Sequence, residues 1–131
     1  MGRVPEFCRD AWAAGVEAFE RTVAAMKPGV TYGELVAACA ATPQPAGWAA
    51  RLVLHGRGLG DDGPLITNPP HNQTVLDRPL AEGNVFVIKP AVNKAGYTET
   101  ARFGDSVAVT ATGARRLGTR GQDFATYNVG L

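Results

Sequence analysis

Cysteine is scarce in this chain: Cys8 and Cys39 are its whole complement in 131 residues. Each falls in a segment of helical pattern beside apolar neighbours, which points to buried free thiols in a reducing compartment rather than a disulfide framework. Long apolar runs are missing too. No stretch approaches the roughly 20 residues that cross a bilayer, and Met1 to Asp10 carries Arg3, Glu6, Arg9 and Asp10 where a secretory leader needs an apolar centre. A cytoplasmic protein with no membrane contact is expected. Charge of one sign is also lacking. The formal net charge is +1 and acidic and basic residues alternate along the chain, so no footprint for nucleic acid or an anionic surface stands out. Arg115, Arg116 and Arg120 read as a solvated strand end.

With 45% hydrophobic and 19% charged residues, the chain has the size and composition of one globular domain, residues 1–131, around a single core. Phe7, Trp12, Val16, Phe19, Val23 and Met26 recur mostly at steps of three and four, the apolar stripe of an amphipathic helix. That helix should stop at Lys27, because Pro28 cannot continue it and Gly29 suits the left-handed geometry beyond a helix end. Thr31 and Glu34 have capping-box spacing, so a second helix should run over Tyr32 to Ala41. Pro43, Pro45 and Gly47 end it. From Trp48 the pattern changes to short β-prone runs, clearest at Leu52 to Leu54, Val85 to Ile88 and Val107 to Thr110. Asn68-Pro69-Pro70-His71-Asn72 should be an exposed loop. Helices followed by strands give an α+β class.

Several kinds of chemistry fail on spacing. Gly56-Arg57-Gly58-Leu59-Gly60 follows a strand as a dinucleotide fingerprint does, but its last glycine is displaced by Asp61. Pro64 and Pro69-Pro70 also forbid the helix whose amino terminus would hold a pyrophosphate. No Gly-x-Ser-x-Gly elbow is present, and neither cysteine has an electropositive strand-end setting. What stands out is His55, a lone imidazole directly after Leu52-Val53-Leu54 and before a glycine turn. Its unperturbed pKa near 6.5 suits either an acid/base role or a structural hydrogen bond.

Four segments resemble, in order and spacing, the carboxy-terminal half of the catalytic domain of the methionine aminopeptidase, prolidase and creatinase superfamily. They are Met26-Lys27-Pro28-Gly29-Val30-Thr31, the His55-Gly56-Arg57-Gly58-Leu59-Gly60 stretch, Leu80-Ala81-Glu82-Gly83-Asn84-Val85-Phe86-Val87-Ile88-Lys89-Pro90, and Arg102-Phe103-Gly104-Asp105 running on to Val109-Thr110-Ala111-Thr112-Gly113. The resemblance implies half of a pita-bread fold, two helices packed on a curved antiparallel sheet. Active members of the superfamily hold two divalent metals with two aspartates, one histidine and two glutamates, which turn a bridging water into a nucleophile. Only the histidine carries over, onto His55. The glutamates fall on Lys89 and Gly104, a second histidine falls on Asp62, and the aspartates belong to a half that this chain does not match.

A lysine in place of a ligand repels a dication and competes for remaining carboxylates. The resemblance therefore implies a degenerate member with no metal and no other cofactor, binding a small peptide or amino-acid-like ligand beside His55, with Asp62, Lys89, His71 and Arg102 as contacts. Two alternatives stay open: a metal-independent hydrolase of the creatinase type with His55 as acid/base, and a non-enzymatic assembly module or fragment of a longer peptidase. Whether it is an enzyme is not decided by these residues. A half standing alone exposes apolar surface, so a homodimer, or a separate amino-terminal half, is the expected partner.

Overall fold

The computed structural model describes residues 5–60, 63–67, 75–97 and 99–124. Within them α1 spans Glu6–Ala25 and α2 spans Tyr32–Ala40. The strands are β1 (Trp48–Arg51), β2 (Leu54–Arg57), β3 (Leu65–Ile66), β4 (Val85–Ile88), β5 (Ala91–Lys94), β6 (Thr100–Arg102), β7 (Asp105–Thr110) and β8 (Gly113–Arg116). Every ladder is antiparallel: β3-β2-β4-β7-β8 in one sheet and β1-β5-β6 in the other.

The two sheets are one curved surface. The register that pairs His55 with Val87 continues through Lys89, whose amide donates to the Val53 carbonyl at 2.9 Å, to the pairing of Arg51 with Ala91. On the other side the register of Val87 with Ser106 continues to that of Ala91 with Arg102. Pro90 has no amide hydrogen to donate, which accounts for the break in the ladder at the bend.

Alternation gives the surface two unlike faces. Leu54, Ile66, Phe86, Ile88, Val92, Val107 and Val109 point to the side covered by the helices and are buried. His55, Leu65, Val85, Val87, Ser106 and Ala108 point the other way and stay partly exposed. The expectation of two helices on a curved antiparallel sheet holds.

Helix α1 ends at Ala25, two residues before the expected stop at Lys27. Met26 is already extended and is buried, with its amide on the Val23 carbonyl at 3.0 Å. Its innermost stripe is also not the large residues. Ala11, Ala14, Gly15, Ala18 and Thr22 are buried with Phe19, while Trp12, Val16 and Val23 flank them and Phe7 is exposed. Small residues let the helix axis approach the sheet, so that a Cβ on Gly15 would stand 3.7 Å from the Phe103 amide nitrogen. Helix α2 carries the capping box as expected: Glu34 donates its amide to Thr31 Oγ1 at 3.2 Å and its carboxylate accepts from the Thr31 amide at 2.7 Å. Cys39 is buried in the α2 interface, where burial pushes its thiol up to about 11. Cys8, expected to be buried, is only half so, because it lies near the start of α1.

The arginine cluster is a solvated strand end only in part: Arg115 and Arg120 are exposed, but Arg116 is half-buried. The Arg116 guanidinium bonds to Asp105 at 2.5 Å and lies 5.2 Å from the centre of the Phe103 ring, with Arg120 at 5.3 Å from the same ring. Phe103 meets Phe19 and Trp12 edge-on. Guanidinium groups stack on aromatic faces because they are planar and weakly hydrated. The buried aromatic that recruits them comes from the β6–β7 link.

Candidate functional site: a basic row on the open face

The site is laid out by strand register. His55 sits on β2 between Leu65 of β3 and Val87 of β4. Lys89 lies two residues beyond Val87 on the same face and is half-buried. Opposite Lys89 stands Gly104, so close that a Cβ there would come within 2.6 Å of the Lys89 Cβ and 3.0 Å of the Ile88 carbonyl oxygen. One step further, Arg51 and Arg102 flank Ala91 on its two neighbouring strands.

Lys89 is therefore the centre of a diagonal cross. Residues two apart on an adjacent strand lie roughly 7–8 Å apart between Cα atoms, within reach of long side chains. His55, Arg51 and Arg102 all stand in that relation to Lys89. The rows of this face hold no carboxylate among the described residues: Leu65, His55, Val87 and Ser106 form one, and Arg51, Ala91 and Arg102 another. The face is electropositive where the ladder bends.

Of the expected contacts, the structure brings His55, Lys89 and Arg102 to one face. Asp62 and His71 lie outside the described residues. Asp105, next to the Gly104 that faces Lys89, is in register with Ile88 on the covered side and gives its carboxylate to Arg116. Burial pushes that carboxyl up, but the hydrogen bonds from Arg116 and the Ser106 amide and the charges of Arg116 and Arg120 outweigh it and hold it below the ordinary range. Arg51 was not foreseen. Its signal was present, since Ala49, Arg51, Val53, His55 and Arg57 alternate on one face, but no β-prone composition marked Trp48 to Arg51 as a strand.

His55 is not free of contacts within the fold. Around it the donor set does not fit a pair of divalent metals: among the described residues no three histidine, cysteine, aspartate or glutamate side chains gather at one point. Two ligand positions implied by the resemblance, 89 and 104, carry an ammonium and no side chain at all. What the row can do is bind an anion by charge-assisted hydrogen bonds and exchange a proton at the imidazole. No helix among the described residues is long and apolar enough to cross a membrane.

A sequence model of metallopeptidase family M24 matches residues 1–111. Among curated proteins, an agropine synthesis cyclase of Rhizobium rhizogenes is 44% identical over 100 residues, 74% of this chain and 24% of that protein. Among solved structures, the X-Pro aminopeptidase of Thermotoga maritima superposes with a TM-score of 0.73 at 23% identity, covering 93% of this chain and 33% of that one. The methionine aminopeptidase of Rickettsia prowazekii gives 0.72 at 21% identity, covering 88% and 54%. The chain thus spans about a quarter to a half of the proteins it matches.

Proposed function

Because the chain belongs to metallopeptidase family M24, we propose that it is a member in which the metal cleft has been converted into a carboxylate-binding one. In this reading Lys89 pairs with the carboxylate of a small peptide or amino-acid-like ligand, Arg51 and Arg102 strengthen the positive field, and His55 exchanges a proton with the ligand. The observation that supports it most is the Lys89–Gly104 pair. A lysine projects where the family has a carboxylate ligand, and the facing position has lost its side chain to make room. Asp62 and His71 remain proposed contacts. A cytoplasmic setting suits the free thiols of Cys8 and Cys39, and a second copy or a separate amino-terminal half closes the cleft.

A second reading is favoured by the relative named as a cyclase. Its name denotes ring formation, so catalysis other than peptide hydrolysis is compatible with this fold. His55 then serves as general acid/base in a metal-independent reaction, hydrolytic or ring-closing.

Binding by chelator-treated protein separates these possibilities. Calorimetric titration with glycyl-proline and glutamine should show binding without metal. Amidation of the ligand carboxyl, or Lys89→Met, should weaken it by about tenfold or more, or ~1.4 kcal/mol. Binding that appears only on adding Mn²⁺ or Zn²⁺ sinks the first reading. Metal-free turnover abolished by His55→Ala establishes the second.

A further inference from the structure

A cavity of about 400 Å³ opens at the other end of the ladder, where β2 runs out and β4 begins. Its walls come from several segments. Gly56 and Arg57 belong to β2, Asn84 and Phe86 to the start of β4 and the residue before it, and Tyr32 to the first turn of α2. The segment carrying Arg78 is strapped across α2, with Tyr32 donating its amide to the Arg78 carbonyl at 3.2 Å, Gly33 to the Leu76 carbonyl at 2.9 Å, and Leu80 to the Val30 carbonyl at 2.8 Å. The Arg78 guanidinium is thus delivered by a backbone fixed at several points.

Three of the lining side chains, Arg78, Tyr32 and Asn84, carry hydrogen-bond donors. Tyr32 is 95% buried, at 5% exposure, and lines the cavity. Burial raises the pKa of its phenol while the charge of Arg78 lowers it, so the two lie within electrostatic reach. Asn84 accepts the Ala81 amide at 2.9 Å through Oδ1, which turns its NH₂ group to other partners. Arg57 already has a partner of its own, so Arg78 carries the charge that matters here. None of the described residues lining the cavity is acidic. A guanidinium, a buried phenol and an amide on the described walls, none of them acidic, suit a group that accepts hydrogen bonds and is negatively charged.

We propose that this cavity is a second binding site, separate from the Lys89 cleft, for a small oxyanion gripped by Arg78 and Tyr32. Its Arg57–Val85 row lies two rows from Lys89, roughly 13 Å along the strands. One small ligand does not touch both. A phosphate monoester and a dicarboxylate share the required chemistry, and the measurement tells them apart.

The 131-residue chain, ¹⁵N-labelled, is titrated with methyl phosphate and with malate in low-salt buffer while the amide signals of Gly56 and Asn84 are followed. At least one should give saturable shifts, and the tighter of the two identifies the class. Arg78→Gln is expected to weaken binding about tenfold and Tyr32→Phe about threefold. Arg78 is exposed and Tyr32→Phe keeps the ring, so both variants should retain the wild-type amide spectrum elsewhere. Lys89→Met should leave this binding unchanged, which makes its outcome independent of the Lys89 cleft. Absence of saturable shifts with both probes overturns the proposal, as does equal affinity in Arg78→Gln and wild type, or a loss in Lys89→Met matching that in Arg78→Gln.

Discussion

At the scale of single residues, the decisive pair is Lys89 and Gly104. An ideal Cβ at position 104 would meet the Lys89 Cβ at 2.6 Å, the Ile88 carbonyl oxygen at 3.0 Å and the Lys89 Cα at 3.1 Å. Two of these three are backbone atoms, which cannot swing aside, so even alanine requires the ladder to shift. Overpacking of this kind costs about 1–3 kcal/mol. Gly104→Ala should therefore lower the unfolding free energy measured in urea by that amount, with a lower midpoint and an unchanged slope. Lys89→Gly in the same chain should recover part of the loss by removing the Cβ at the nearest contact. The double-variant cycle reads that recovery as a coupling energy, and simple additivity would show that the two positions do not compete for space.

At the scale of elements, β7 and β8 are clasped by Asp105 and Arg116, which sit 11 residues apart and bond at 2.5 Å. The Gly118 backbone packs against the carboxylate, since a Cβ there would lie 2.1 Å from both oxygens. Because the folded-state pKa of Asp105 is depressed, the unfolded chain takes up its proton first as the pH falls. The stability from this clasp is therefore full above the unfolded value of about 3.9 and is lost as the pH drops through the folded one. Asp105→Asn should lower the midpoint of urea unfolding at pH 7, and its deficit against wild type should shrink steadily below about pH 4. A deficit constant from pH 7 to pH 3 would mean that the carboxylate charge contributes nothing. This clasp also shows where reading a sequence stops. The helices were legible because their signals are local: the capping box of Thr31 and Glu34 and the break at Pro28 involve neighbours in the chain. The four motifs made the sheet and its bend legible through resemblance. Arg116 was misread because its partners, Phe103 and Asp105, are supplied by pairing across strands. Strands β1, β5 and β6 are three or four residues long and mix single β-prone residues, Trp48, Val92 and Thr100, with Ala, Arg, Asn and Lys, so partners and the helices above them decide that they are strands. For the site, residue type pointed to His55 and the resemblance to Lys89 and Arg102, but the shared face and the presence of Arg51 emerge only from register.

At the scale of the whole molecule, helices cover one face of the curved sheet and nothing in the described chain covers the other. That face carries Leu65, 53% exposed on the edge strand β3, beside Val85, Val87 and Ala108, all incompletely buried. Alternating strands normally turn polar residues to solvent on an open face, and here Val85, Val87 and Ala108 form an apolar strip at the centre, with His55 between Val87 and Leu65. The chain also spans only part of each longer relative it matches. A closed twofold assembly, in which the same strip meets itself, is the simplest cover that a single sequence supplies. It would also bring two Lys89-centred rows face to face across the cleft, so a ligand carboxylate bound between them would relieve their mutual repulsion. The chain is thus expected to sediment as a dimer at micromolar concentration. Val87→Arg, which places a charge in the middle of the strip without touching the covered core, should dissociate it to monomers while the circular dichroism of the helices is retained. Added glutamine should stabilise the wild-type dimer and leave the Val87→Arg monomer unaffected. A wild-type chain that sediments as a monomer at these concentrations removes the homodimer and leaves a separate amino-terminal half as the cover. That remaining possibility has its own signature: a complex with that half should protect the amides flanking Val87 from hydrogen exchange and leave those around Phe19 unchanged.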